Sequence, residues 1–211
     1  MKKISKKKHL EIAIESIPKH PKPKVELEQY STPSIIAADL LWNSYNLGDI
    51  VNKNIVDLGC GTGIFAISAM LLGAKNAIGV DVDPDSIAIA RKISNDFNIL
   101  DIEFRTCNIS NFSYDLNVDV VIQNPPFGSQ ERSKKGEDLK FINKALELCP
   151  KVIYSFHMAS TEEFLLDYYE KAGLAITHIF RYKFPIPKIY KFHNKESKYV
   201  DVIVLRAENV K

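Results

Sequence analysis

The feature that most constrains the fold is a short apolar run that ends in a glycine-rich turn and continues into a predicted helix. It reads Val56-Asp57-Leu58-Gly59-Cys60-Gly61-Thr62-Gly63. Three glycines at alternate positions permit a sharp turn and allow a ligand to approach the backbone where a Cβ would obstruct it. In open α/β sheets, ligands bind where such strand-to-helix turns leave the carboxyl ends of the strands. The turn therefore predicts an α/β sheet with a ligand site at this edge.

The rest of the chain alternates between short apolar runs and longer amphipathic ones. Strands are predicted at Asn54–Leu58, Ala77–Val82, Ile102–Cys107, Val118–Gln123, Val152–Phe156, Leu174–Tyr182 and Tyr199–Arg206. Helices are predicted at Ser34–Tyr45, Gly63–Leu72, Pro84–Asn95, Asp138–Leu148 and Thr161–Ala172. This order predicts a mostly parallel sheet with helices on both faces. Because no helix separates the last two strands, we expect them to form an antiparallel hairpin.

Length and charge set the domain organisation. We expect a basic arm over residues 1–24, with apolar positions for a short helix, followed by one domain over residues 25–211. The net charge of +2 hides basic ends around an acidic middle. Basic ends can contact an anionic partner, although lysines can equally serve to keep a tail in solution.

The cysteines and the hydropathy pattern indicate the compartment. Cys60, Cys107 and Cys149 are isolated from one another, which argues against a disulfide scaffold and a zinc site. No apolar run reaches the length of a membrane span, and the arm lacks the apolar stretch of a secretory signal. The sequence therefore predicts a cytoplasmic protein without a metal.

The residues around the glycine turn indicate the kind of ligand. Asp57 precedes the glycines directly, where it would repel a phosphate but suit an ammonium group. The turn also lacks the spacing of a dinucleotide-binding loop. Asp81 ends the second strand, where a carboxylate can accept the hydroxyls of a ribose, while Asp83 is expected to cap the next helix. The alternative is that both carboxylates only cap that helix.

S-adenosylmethionine has the matching chemistry, since it contains an ammonium group, a ribose and an adenine but no phosphate. Asn108 and Ile109 follow the third strand, beside the expected adenine, where the Asn108 amide can accept and donate hydrogen bonds. The predicted cofactor-binding residues of the three strand ends are Asp57, Gly59, Cys60, Gly61, Thr62, Gly63, Asp81, Asn108 and Ile109.

A second motif, Asn124-Pro125-Pro126-Phe127, follows the fourth strand. The Asn124 side-chain oxygen and the Pro125 carbonyl can accept hydrogen bonds from a planar amine and so orient its lone pair. Proline stiffens the turn because its ring fixes φ, and Phe127 can stack on a flat base. With an activated methyl donor, transfer then needs mainly alignment of the reacting atoms. An ordinary loop with two prolines is the alternative.

A polar loop comes directly after this motif. Its basic residues Arg132, Lys134 and Lys135 can meet a nucleic acid backbone, or the loop is simply solvated.

Both motifs resemble those of a known enzyme class. DLGCGTG is similar to motif I of the Rossmann-like class I methyltransferases, and NPPF to the (D/N/S)PP(Y/F) motif of amino-methyltransferases. Together with Leu27–Pro33 and the late segments FPIP and YKFH, they resemble the small-subunit rRNA N6-adenine methyltransferases of the methyltransferase-like five type. The resemblance implies a seven-stranded sheet with an antiparallel C-terminal strand and methylation of an adenine N6 in RNA.

The same resemblance implies further roles. Gln29 and Thr32, in a lid segment (residues 27–33), would help to hold the methionine part of the cofactor. Lys188, Lys191 and His193 would lie on the RNA side, although His193 can also be an ordinary loop histidine. Relatives are often stabilised by a small zinc-binding activator protein that pairs with an edge strand.

Four other functions compete with this one. Glutamine methyltransferases of release factors share both motifs but usually carry an N-terminal helical domain, for which too few residues precede the first strand. DNA adenine methyltransferases usually add a target-recognition domain. A non-catalytic binding module would not need both motifs intact. An NAD-linked oxidoreductase is disfavoured by Asp57 and by the glycine spacing.

Overall fold

The structure, a computed structural model, describes residues 4–24, 27–114, 117–127, 137–187 and 197–210. Six helices are defined there: α1 (Lys7–Glu15), α2 (Ser34–Asn46), α3 (Ile64–Leu71), α4 (Pro84–Asp96), α5 (Glu137–Glu147) and α6 (Glu162–Lys171). Seven strands accompany them: β1 (Asn54–Leu58), β2 (Asn76–Asp81), β3 (Ile102–Thr106), β4 (Val120–Gln123), β5 (Val152–Met158), β6 (Leu174–Pro187) and β7 (Ser197–Asn209).

The strands form one sheet in the order β3-β2-β1-β4-β5-β7-β6. The neighbouring strands from β3 to β5 pair in parallel, whereas β7 is antiparallel to both of its neighbours. The predicted fold class and the predicted C-terminal hairpin are therefore confirmed. The strand order reverses between β1 and β4, and ligands of open α/β sheets bind beside such a reversal.

Two apolar clusters cover the two faces of this sheet. One joins side chains of α1 to α4, among them Leu10, Leu40 and Ile67, to strand residues such as Ile55. The other joins α5 and α6 to the opposite strand face, for example through Ile142. Because successive side chains of a strand point to opposite faces, strands buried between two helical layers read as continuous apolar runs. That pattern made these strands visible in the sequence.

The N-terminal arm packs against the rest of the molecule. Leu10 and Ile14 of α1 are 0% and 1% exposed and belong to the first apolar cluster. Lys7 also donates to Asp39 of α2 at 2.7 Å. The predicted boundary after residue 24 stays a prediction, but α1 contributes to the common core. Among the described residues, no helix combines the length and the apolar character that crossing a membrane requires.

Candidate active site

The register of the sheet places the predicted motifs side by side. Leu58 lies opposite Gln123 in the β1–β4 pair and opposite Val80 in the β1–β2 pair. The glycine loop (residues 59–63) and the turn that is predicted to be catalytic (the catalytic turn, residues 124–127) therefore leave the sheet as neighbours. The amide groups of Gly59 and Cys60 both donate to the Val80 carbonyl, at 2.8 and 3.0 Å, and fix the start of the loop.

The glycines of the loop adopt a backbone conformation that other residues rarely take. Gly59, Gly61 and Gly63 have φ values of 71°, 53° and 87°. A Cβ on Gly63 would lie 2.9 Å from the Phe104 ring, and one on Gly59 would lie 2.9 Å from Phe141. At Gly61, by contrast, a Cβ would meet nothing within 4 Å. Two of the glycines thus permit close packing, whereas the third faces open space.

Asp81 connects the second strand end to the glycine loop. Its Oδ2 accepts from the Gly61 amide at 2.9 Å, and its Oδ1 accepts from the Asp83 amide at 2.9 Å. Burial raises the pKa of Asp81, although these amide hydrogen bonds oppose the shift. The carboxylate lines the cavity described below and is held in one orientation, as a ligand of ribose hydroxyls would need to be.

Asp57 lies behind the glycine loop. It is 0% exposed, and its Oδ2 accepts from the Ala66 amide at 3.1 Å near the start of α3. Its Oδ1 has no hydrogen-bond partner among the described residues. Burial raises the pKa of Asp57 to about 7, the Ala66 amide opposes this shift, and the charge of Asp81 adds to it. A cationic group near Oδ1 would favour the charged form.

Asn124 begins the catalytic turn. Its Nδ2 donates to the Thr32 hydroxyl at 3.1 Å, while its Oδ1 is buried without a hydrogen-bond partner in the described part of the chain. A buried acceptor without a partner is costly in a native structure unless a ligand completes it. Further along, Phe127 packs edge-to-face on Phe184, with ring centroids 5.7 Å apart and an interplanar angle of 86°.

Asp83 gathers several groups of the N-terminal region. Its Oδ1 lies 2.7 Å from the Lys24 ammonium, and its Oδ2 accepts from Gln29 Nε2 at 2.6 Å. His20 Nε2 lies 3.2 Å from the same carboxylate. Asp83 also accepts from the Asp85 amide, which confirms the predicted helix cap. Burial raises the pKa of Asp83, but the hydrogen bonds from Lys24, Gln29 and the Asp85 amide outweigh it and hold the pKa at about 2.

Among the described residues, His20, Asp83 and Asp85 lie close enough together to hold a metal ion. Because the Lys24 ammonium already lies against Asp83, we assign no metal to the group.

A cavity of about 480 Å³ unites most of the predicted residues. This volume lies in the range of small-molecule and cofactor sites. From the cofactor prediction it is lined by Gln29, Thr32, Gly59, Cys60, Gly61, Thr62, Asp81, Asn108 and Ile109, and from the catalytic prediction by Asn124 and Pro126. Gly61 and Asn124 thus share one cleft.

Four predicted residues do not line this cavity. Asp57 of β1 and Gly63, the last residue of the glycine loop, are not among its lining residues, and Pro125 and Phe127 border a smaller cavity of about 20 Å³ with His157. Burial lowers the pKa of His157 to about 3, so its ring is neutral. The ligand-binding roles of all these residues stay predictions.

The side chain of Asn108 differs in part from its predicted use. Its Oδ1 accepts from the Ser110 amide at 3.0 Å and so caps the short helical turn Ile109–Asn111. To contact an adenine amine as predicted, this oxygen would therefore have to accept a second hydrogen bond. The predicted RNA contacts fall outside the described residues, namely Arg132, Lys134, Lys135, Lys188, Lys191 and His193.

Several residues that line the cavity have no local pattern in the sequence that would have predicted this position. Ile17, Pro18 and His20 come from the segment that follows α1, and Lys140 and Phe141 come from α5. The many lysines of the arm favour a solvent-exposed segment, and only its apolar positions indicate that part of it packs on the domain.

Comparison with known proteins gives a consistent result. A family profile described as "Methyltransferase domain" matches residues 50–200. The chain is 42% identical to the uncharacterized protein MJ0284 of Methanocaldococcus jannaschii, over 97% of this chain and 95% of that protein. It is 33% identical to the rRNA N(6)-adenosine-methyltransferase METTL5 of Danio rerio, over 95% of this chain and 98% of that protein.

Solved structures agree with this result. PH1948 from Pyrococcus horikoshii, provisionally described as an RNA methyltransferase, superposes with a TM-score of 0.88 at 37% identity, over 99% of this chain and 100% of that one. A branched-chain polyamine synthase of Thermus thermophilus has a TM-score of 0.74 over 97% of this chain and 63% of that one, but at 12% identity it shows the fold alone. The chain therefore belongs to the methyltransferase domain family, in the group that contains the rRNA N6-adenosine-methyltransferases.

Proposed function

We propose that this protein transfers the methyl group of S-adenosylmethionine to the N6 amine of an adenine in small-subunit ribosomal RNA. The observation that carries the proposal is the buried Oδ1 of Asn124, an acceptor without a partner among the described residues, in the same cavity as the glycine loop. The names of the relatives support the RNA substrate, since METTL5 proteins of Danio rerio and Drosophila melanogaster are rRNA N(6)-adenosine-methyltransferases.

The residues of the cavity fit the cofactor. Asp81 presents a fixed carboxylate for ribose hydroxyls, and the open space at Gly61 leaves room beside the loop backbone. Asp57 does not line the cavity, but it has a buried oxygen that lacks a partner in the described chain, which suits a nearby positive charge. When bound, S-adenosylmethionine supplies an activated methyl group, so the protein needs to supply alignment and no metal.

The catalytic turn would receive the amine. Asn124 Oδ1 and the Pro125 carbonyl accept its two N–H groups and turn the nitrogen lone pair towards the cofactor side of the cavity. A face of the half-buried Phe127 ring stacks on the base, which contributes about 1–3 kcal/mol, while Phe184 packs against the Phe127 ring at nearly a right angle. The amine can release its proton to solvent after transfer, since methylation makes the nitrogen positive.

The proposed function also implies contacts with RNA and with a protein partner. We propose that Arg132, Lys134, Lys135, Lys188, Lys191 and His193 contact the RNA. A small zinc-binding activator protein would add a strand to an edge of the sheet, and β3 and β6 are the edges of the described sheet. The free thiols of Cys60, Cys107 and Cys149 agree with a cytoplasmic location.

Nucleoside mass spectrometry tests the substrate. In cells that lack the gene, we expect small-subunit rRNA to lose one N6-methyladenosine, and expression of the wild-type gene should restore it. An unchanged N6-methyladenosine content would reject this substrate.

Replacement of Asn124 by alanine tests the site. The Asn124→Ala variant should lose methyl transfer by at least about 100-fold, because alignment of the amine depends on this acceptor. The Kd for S-adenosylmethionine, measured by calorimetry, should change little. A fully active variant would contradict the catalytic role of Asn124.

A further inference from the structure

We infer that Thr32 is a positioning residue for the catalytic amide: its hydroxyl holds the NH₂ group of Asn124 and so presents Oδ1 to the substrate amine. This role goes beyond the cofactor contact expected of Thr32 from the family resemblance. It rests on the proposed function for its kinetic test, but the hydrogen bond itself can be measured without any methyl transfer.

The contact between the two side chains is specific. Asn124 Nδ2 lies 3.1 Å from Thr32 Oγ1, although the residues are 92 positions apart in the chain. Thr32 is only 8% exposed, so little water competes for its hydroxyl. An amide has one acceptor end and one donor end. With the donor end at Thr32, the acceptor end is the one that remains for a substrate N–H, and it is the end without a partner in the described chain.

The opposite orientation of the amide would be unproductive. It would aim the NH₂ of Asn124 at the amine of the base, and two donors repel each other. A rotatable side chain on a turn has no intrinsic preference between these two orientations. A threonine hydroxyl can donate as well as accept, but in the structure Thr32 Oγ1 accepts from Asn124 Nδ2, and this contact holds the reactive orientation before the substrate arrives.

The backbone that carries Thr32 is fixed from its other end. Three residues earlier in the lid segment, Gln29 Nε2 donates to Asp83 Oδ2 at 2.6 Å, and Gln29 Oε1 accepts from the Lys24 amide at 2.7 Å. Asp83 caps α4, directly after the strand end that carries Asp81. The lid segment is thus held by side-chain hydrogen bonds on both sides of the cavity. Gln29 contacts Asp83 near the end of β2, and Thr32 contacts Asn124 of the catalytic turn.

Kinetics of matched variants separate positioning from cofactor binding. Thr32→Val removes the hydroxyl but retains the branched shape, and Thr32→Ser retains the hydroxyl. With saturating cofactor and RNA, we expect kcat of Thr32→Val to fall by about 10- to 100-fold, with a less than about threefold change in the Kd for S-adenosylmethionine. Thr32→Ser should recover most of kcat. Thr106→Val, an exposed change on β3 outside the cavity, should match the wild type.

The opposite kinetic result would overturn the inference. If Thr32 serves only the cofactor, the Kd of Thr32→Val should rise and kcat should return to the wild-type value at saturating cofactor. Thermal unfolding of each variant excludes a folding defect as the cause of a lost kcat.

The side-chain amide signal of Asn124, recorded by NMR in ¹⁵N-labelled protein, reports on the contact without substrate. Its NH₂ protons should exchange more slowly with water in the wild type and in Thr32→Ser than in Thr32→Val. Equal exchange in all three proteins would reject the contact. If the wild type did not methylate rRNA but the exchange difference between the variants was present, the proposed substrate would be rejected and the positioning role would stand.

Discussion

At the scale of single residues, two glycines of the loop meet different requirements. One allows close packing in a left-handed backbone conformation, and the other leaves space beside the backbone. Gly63, with φ of 87°, packs so closely that an added Cβ would lie 2.9 Å from Phe104 and 3.1 Å from Ala90. Gly61, with φ of 53°, has no atom within 4 Å of such a Cβ, and it lines the cavity. The open space beside Gly61 is therefore part of the cavity in which we propose that the cofactor binds.

Alanine substitutions should separate these two requirements. Gly63→Ala should lower the free energy of unfolding by about 2–4 kcal/mol, from overpacking and an unfavourable φ together. Gly61→Ala should cost about 1 kcal/mol of stability but weaken S-adenosylmethionine binding at least about tenfold, because the methyl group occupies the ligand's space. Urea denaturation and calorimetry measure the two effects. Equal loss of affinity and stability in both variants would contradict this division.

At the scale of elements, the carboxylate of Asp83 joins the N-terminal region to the start of α4, beside the cavity. Lys24 and Gln29 donate to Asp83 from 59 and 54 positions away in the chain. Charged hydrogen bonds of this kind are stronger than neutral ones. Asp83 thereby holds one wall of the cavity, formed by the residues around the lid segment, against the N-terminal end of α4.

The Asp83→Asn variant tests this attachment. Asparagine caps a helix as well as aspartate does, but its amide is uncharged and can aim a donor at the groups that now donate to Asp83. We expect S-adenosylmethionine to dissociate about tenfold faster, as measured by stopped flow, with little change in thermal stability. Asp85→Asn removes an exposed charge from the same helix turn and should dissociate the cofactor at the wild-type rate. If both variants released it equally fast, the helix dipole rather than the attachment would be responsible.

The sequence predicted those features whose cause is local. Strands such as Asn54–Leu58 were recognised as buried apolar runs, and the cap at Asp83 follows from its position before Pro84. The last hairpin was predicted too short: β6 continues to Pro187, since an edge strand tolerates Pro185 and Pro187 where a central strand would not. Contacts between distant positions, such as Thr32 with Asn124, have no local pattern, so they required the structure.

At the scale of the whole molecule, a buried charge cluster joins the loop that follows α2 to strands β5 and β7. Arg206 of β7 donates to both oxygens of Asp49 at 2.8 and 3.1 Å, and Tyr154 donates to Asp49 at 2.6 Å. The side chains of Arg206 and Asp49 are 8% and 10% exposed. The hydrogen bond with Asp49 raises the pKa of Arg206, although burial opposes the shift. None of these three residues lines the large cavity.

Stability and cofactor binding should therefore respond separately to changes in this cluster. Arg206→Met leaves the Asp49 charge buried without its cation and should cost about 3–5 kcal/mol of unfolding free energy, with an unchanged Kd for S-adenosylmethionine at a temperature where the variant is folded. Adding Asp49→Asn should recover part of that loss, because it removes the uncompensated charge and retains an acceptor for Tyr154. Arg181→Met breaks an exposed pair with Glu162 and should cost much less. Recovery of stability in the double variant is the decisive result, since a loss caused only by missing side-chain packing would not be reversed by neutralising Asp49.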